Sequence, residues 1–133
     1  MKFRWAMVAL LLLGQQSQAG KFPVEIIEQF DNARVVAFIQ DADLATSPAW
    51  DPMSAPPPLT VAEAIEAVKN HHANDMHKAD SLTVEEIELR KISQRDTHWH
   101  YLLKVRQGDS TRYYVVLMNG KVIAAVREPE AYK

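Results

Sequence analysis

Asn119-Gly120 separates two runs rich in β-branched and aromatic residues, 112–118 and 121–127. In that setting Asn-Gly is the strongest short-range hairpin signal, because both residues tolerate the positive φ of a two-residue type I′ turn. It commits this half of the chain to antiparallel sheet. Such a turn sets Met118 opposite Lys121, Leu117 opposite Val122, Val115 opposite Ala124 and Tyr113 opposite Val126. Two further strands are expected over 84–92 and 97–106. If the loop 107–111 closes a second hairpin with Arg106 opposite Arg112, then Val105 faces Tyr113, Leu103 faces Val115 and Tyr101 faces Leu117.

Side chains alternate across a sheet, so this register gathers Trp99, Tyr101, Leu103, Val105, Tyr113, Val115, Leu117, Val122, Ala124 and Val126 on one core face. The other face carries His98, His100, Leu102, Lys104, Arg106, Arg112, Tyr114, Val116, Met118, Lys121, Ile123, Ala125 and Arg127. Leu102, Val116 and Ile123 line up there across three strands beside Tyr114 and Met118. That is more contiguous apolar surface than a solvated face carries. Its cover is either the chain's own segment 21–45, with Val24, Ile26, Ile27, Phe30, Val35, Val36, Phe38 and Ile39, or a partner protein. Strands over 24–29 and 34–40 are the expectation for that segment, with a helix after Pro23 as the alternative.

Thr60-Val61-Ala62-Glu63 matches a capping box, in which each end residue satisfies a backbone N–H of the other. A helix is expected from Val61 to about Ala73-Asn74-Asp75, with Val61, Ala64, Ile65, Val68 and His72 on its buried face. Before it, residues 46–58 hold five of the chain's seven prolines. Three in a row at Pro56-Pro57-Pro58 favour extended geometry, so the segment reads as a connector. Trp50 within it either pins the connector to the domain or stands free as an anchor for a partner. The fold expected is α+β: one amphipathic helix packed on an antiparallel sheet of about four strands, with an N-terminal β segment docked on it.

The start of the chain reads as an address. Lys2 and Arg4 precede the apolar run from Trp5 to Leu13, and Ser17 and Ala19 supply small residues before a cut at Gly20. The run is shorter than the roughly 20 residues that span a bilayer, so residues 1–19 are expected to be cleaved without leaving a membrane anchor, a retained anchor being the alternative. Removing Lys2 and Arg4 leaves 13 basic against 17 acidic side chains, a net charge of −4. No clustered basic excess marks a nucleic-acid binder. With no cysteine, a disulfide framework, a thiol nucleophile and a thiolate metal site are excluded. The expected destination is the periplasm or the medium.

The C-terminal part resembles a PepSY domain. The residues that carry the likeness are Pro58-Leu59-Thr60-Val61-Ala62-Glu63-Ala64-Ile65 opening the helix, Val84-Glu85-Glu86-Ile87-Glu88-Leu89, the strand Trp99-His100-Tyr101-Leu102-Leu103-Lys104-Val105, and the closing hairpin from Tyr113 to Ile123. The likeness spans 59–127, leaving 20–45 as an N-terminal β segment, 46–58 as connector and 128–133 as a tail. The closing turn departs from the family pattern, in which an acidic residue usually sits some positions before the glycine. The resemblance implies an exported, non-enzymatic domain of cystatin-like layout that inhibits or modulates peptidases. It assigns no catalytic residue.

Candidate chemistry is sparse. His98 and His100 share a strand face, with Met118 across from His100 in the register above, so a His-His-Met copper site is conceivable. His71, His72 and His77 lie at a helix end with no route to the sheet. Glu86 and Glu88 share a face, and with Glu85, Arg90 and Lys91 they read as a charged strand edge rather than an acid–base pair. Asp41, Asp43 and Asp51 lack the spacing of a calcium loop and suit turns. Four glycines, none clustered, exclude a phosphate-cradling loop. The expectation is therefore a non-enzymatic binding protein without cofactor. Its partner is an envelope or secreted protein such as a peptidase, met through Leu102, Tyr114, Val116, Met118, Ile123 and Trp50. The alternative is a metal-binding protein using His98 and His100.

Overall fold

The computed structural model describes residues 24–30, 33–73, 81–93 and 95–128. The expected leader, the turn at Asp31-Asn32, His77 and the tail beyond Glu128 lie outside them. The elements run β1 (Val24–Phe30), β2 (Ala33–Ile39), α1 (Asp41–Ala45), α2 (Val61–Ala73), β3 (Leu82–Lys91), β4 (Trp99–Gln107), β5 (Ser110–Leu117) and β6 (Val122–Arg127). The class is α+β, with one sheet of order β1-β2-β6-β5-β4-β3 and every pairing antiparallel. Six strands replace the four expected. The N-terminal hairpin does not dock as a separate layer; it extends the sheet, because β2 pairs with β6 through Val35↔Arg127 and Val36↔Val126.

The sheet curls. Arg90 on β3, one edge strand, donates from Nη2 to the carbonyl of Gln29 on β1, the other edge, at 2.8 Å. The inner face of this incomplete barrel buries Ile26, Val35, Ala37, Ile39, Leu102, Tyr113, Val115 and Leu117, with Leu44 of α1 and Ile92 in the same cluster. The outer face is covered by α2, whose Ala64 and Val68 pack with Tyr101, Leu103, Val105, Tyr114, Val116 and Met118. Each face therefore carries a buried apolar cluster, and a chain without cysteine gains two apolar cores from one sheet.

The helix begins where its sequence signal lies. Glu63 N–H donates to Thr60 Oγ1 and Thr60 N–H donates to Glu63 Oε1, both at 3.1 Å. The Thr60 backbone N–H first, and the Thr60 hydroxyl after it, hold the Glu63 carboxyl below its usual range. Of the expected buried face, Ala64, Val68 and His72 are buried and Ile65 partly so, while Val61 is 47% exposed.

Both hairpin registers differ from expectation by one residue. The closing loop has three residues, Met118-Asn119-Gly120: Gly120 N–H donates to Leu117 O, Leu117 N–H donates to Lys121 O, and Gly120 sits at φ +86°. This is a turn followed by a left-handed residue that restores the ladder. The cause is tertiary. Asn119 Nδ2 donates to Asp43 O at 2.9 Å and to Thr46 Oγ1 at 3.0 Å, which fastens the hairpin tip to α1, and Asn119 Oδ1 accepts from Lys121 N–H. At the other end Gln107 pairs with Ser110 around Gly108 at φ +58°. The two slips cancel between β4 and β6 and fall wholly on β5. Tyr113, Val115 and Leu117, expected against the helix, line the inner face; Tyr114, Val116 and Met118, expected outside, take their place under the helix.

Candidate functional site

The surface expected from Leu102, Tyr114, Val116, Met118, Ile123 and Trp50 does not exist as one patch. Leu102 and Ile123 belong to the inner cluster, Tyr114, Val116, Met118 and Trp50 to the outer one. Leu102 and Val116 are each 0% exposed. Cover of the inner face comes from the chain itself, through Val35, Ala37 and Ile39 of β2. Trp50 is pinned: its N–H donates to Thr97 O at 2.9 Å, its Nε1 to Ala55 O at 2.8 Å, and its ring meets Trp99 edge-on at 5.2 Å. Asp51 closes the turn beside it, accepting from Met53 N–H and Ser54 Oγ. These bonds, that to Ser54 foremost, depress its carboxyl pKa.

The His-His-Met arrangement is not assembled. His100 pairs with Leu117 and points into the inner face, where it is 0% exposed, whereas Met118 packs under α2. Among the described residues no cluster of three or more His, Asp or Glu side chains is placed to hold a metal. The β3 carboxylates lie on an edge strand, as expected, and two of them, Glu85 and Glu88, are engaged in ion pairs. Glu85, at an irregularity in the β3–β4 register, accepts from Arg106 and lies 3.7 Å from Lys104 Nζ. The Arg106 hydrogen bond holds its carboxyl below the usual range. Glu88 pairs with Arg90. Asp41 and Asp43 occupy the first turn of α1, and Asp41 meets Arg95 at 3.6 Å.

What the structure does build is a fork in the sheet. β6 pairs with β5 only as far as Tyr113↔Ala125, then turns to β2 at Val126 and Arg127. Beyond that point β5 and β6 diverge around an open groove of about 660 Å³, lined by Thr111–Tyr114 of β5 and by Ala124–Glu128. Its volume lies within the roughly 300–1,000 Å³ typical of ligand sites.

The groove's backbone chemistry follows from ladder alternation. Leu117 N–H bonds Lys121 O, so the bonded pairs step by two through 115/123 and 113/125, and the next would be Thr111 with Arg127. That pair is unmade. Glu128 N–H donates instead to Arg34 O at 3.0 Å, which directs Val126 and Glu128 toward β2 and leaves the peptide groups of Arg127 facing the groove. The peptide groups of Thr111 and Arg127 thus line the fork beyond the last residue pair of the β5–β6 register. Arg112 and Arg127 are exposed on opposite faces of its mouth, and neither meets a carboxylate among the described residues. The one acid at the rim, Glu128, is taken by Arg34 at 3.2 Å. Val126 is 44% exposed and Ala124 is exposed beside it, so apolar surface adjoins the cations.

Sequence reasoning placed Arg112 and Arg127 on one outward face and saw no site in them. The fork arises from the pairing of β2 with β6, about 90 residues apart, for which neither strand carries a local signal. Compared with family models, curated proteins and solved structures, the chain shows no match.

Proposed function

We propose that this chain is an exported binding or modulator protein of PepSY-like type, without a catalytic role, and that it engages its ligand at the fork between β5 and β6. One observation carries the reading: a groove lined by strand peptide groups beyond the last β5–β6 pair and by two arginines that meet no carboxylate among the described residues, while the two sheet faces each carry a buried apolar cluster. Recognition by main-chain hydrogen bonds with flanking charged groups is how protein modules hold peptide partners. A peptidase is a natural candidate, since its own substrates are extended chains. The apolar run and cut site at residues 5–19 support export, and the helix-then-strands order over 59–127 supports the PepSY-like reading.

A photo-crosslinking residue placed at Val126, and as control at Glu66 on the exposed side of α2, tests the site in the secreting cell. The expected result is a discrete adduct from position 126 in the exported fraction, lost in Arg112→Glu/Arg127→Glu. Equal labelling from both positions, or retention of the chain in the cytoplasm, would overturn the proposal.

A further inference from the structure

The geometry points to the class of ligand: we infer that the fork takes an extended, acidic peptide segment, which inserts between β5 and β6 as an added strand. This rests on the fork being the binding site.

The backbone argument comes first. Thr111 and Arg127 each present one N–H and one carbonyl across the groove, the pattern that a strand edge offers to another strand. A small planar ligand satisfies one wall of such a site; an extended main chain, which carries donors and acceptors along both edges, satisfies both walls. Because β5 and β6 are antiparallel to each other, the guest runs parallel to one and antiparallel to the other. Edges left open in this way are costly to a fold unless something occupies them or charges guard them.

Charge then selects the side chains. Successive residues of a strand point to opposite faces. Arg127 shares the inner face with Val35, and Arg112 shares the outer face with Tyr114 by alternation along β5. A guest with adjacent residues of which one or both are acidic therefore meets an arginine on whichever side its carboxylate falls. The whole chain is net negative at −2, so this cationic mouth runs against the overall field and favours an acidic guest locally. Val126 and Ala124, exposed on the outer side, suit an apolar or β-branched neighbour in the same guest.

The test uses three end-blocked, fluorescently labelled hexapeptides: alternating Val-Glu, the same peptide with Gln for Glu, and the Val-Glu peptide with alternate backbone nitrogens methylated. Fluorescence anisotropy against the chain lacking residues 1–19 is expected to show saturable binding of the Val-Glu peptide. The Gln version should bind roughly twofold to fivefold more weakly, as the one exposed ion pair made on the Glu-bearing face allows, and salt should narrow the gap. The methylated peptide should bind at least about tenfold more weakly, because alternate methylation removes every donor on one edge and crowds the wall that edge faces. Arg112→Glu/Arg127→Glu alters two exposed side chains and should reverse the Glu-over-Gln preference with an unchanged circular dichroism spectrum. Equal binding of the Val-Glu and methylated peptides would overturn strand addition, and equal binding of the Glu and Gln peptides would overturn the charge selection. Binding that appears only after residues 129–133 are deleted, or a fork closed by self-association at micromolar protein, would overturn a foreign guest. An adduct at position 126 in the cell, together with failure of all three peptides, would leave the site standing and sink only the ligand class.

Discussion

Replacing Leu102 by alanine distinguishes a covered inner face from an open one. Leu102 sits on β4, between β3 and β5, with 0% exposure, in the cluster that Val35, Ala37 and Ile39 of β2 complete. The substitution removes three carbon groups, which at about 0.8 kcal/mol each amounts to about 2.4 kcal/mol of lost transfer energy. A cavity in a face closed on both sides adds to this, and buried leucine-to-alanine changes cost about 2–5 kcal/mol. Against the roughly 5–15 kcal/mol that holds a domain together, that is a large share. Urea unfolding of the chain without residues 1–19 should show a midpoint shift of that size at unchanged slope, since the same surface is exposed. Thermal unfolding should fall by about 10–20 °C, at about 4 °C per kcal/mol for a domain of this length. Val116→Ala, on the helix side of the sheet, should also destabilise, although it removes one carbon fewer. A cost below about 0.5 kcal/mol for Leu102→Ala is what a solvent-facing site gives, and it would refute the hairpin's place over that face.

Trp50→Ala should free the connector: proteolysis within 51–59 accelerates while the far-ultraviolet sheet signal persists, and an unchanged cleavage rate would show that the Trp50 bonds to Thr97 and Ala55 do not hold it. Gly120→Ala meets no atom within 4 Å of the new Cβ, so its cost is the left-handed backbone alone, about 1–2 kcal/mol by thermal unfolding; no change would mean that the loop is not the three-residue type. Asp51, Glu63 and Glu85 are all held below their ordinary carboxyl range. Their contribution is present above the unfolded carboxylate values of about 4 and is lost as pH falls through the depressed folded values. Urea midpoints should therefore drop between pH 5 and pH 2, less so in Glu63→Gln, which keeps the capping bond without titrating; a flat profile would refute the assignment.

Local signals were legible and non-local ones were not. The capping box at Thr60 and Glu63 marks the start of α2 because both partners lie within one turn. Strand positions were readable from alternation and turn residues, the observed ends falling within about two residues of those expected. The facing of β5 was not. It depends on a single residue of loop length at each end, and the loop at Asn119 is chosen by bonds to Asp43 and Thr46, over 70 positions away. Helix α1, five residues without a side-chain cap, carries no periodicity to detect. Trp50 shows the intermediate case: its residue type and proline neighbours offered two readings, and only the contact with Trp99 decides between them.

The same distinction explains where an open site falls in this fold. β3, β4, β5 and β6 are joined in sequence by short connections, so their ladders are long and form at small entropic cost. The pairing of β2 with β6 closes a far longer loop and is secured by only two residue pairs and the Glu128–Arg34 bond. β6, six residues long, does not pair with both neighbours over its whole length. It gives Val122–Ala125 to β5 and its last two residues to β2, and the small Ala124 and Ala125 mark the changeover. The fork is thus the geometric consequence of sharing one short strand between a local and a non-local partner. Junctions of this kind sit at the low-stability end of a fold, which is where ligand-responsive elements are drawn from. An occupant of the fork would brace β6 on the side that β5 has released, and the N-terminal hairpin that closes the inner core hangs from that same strand.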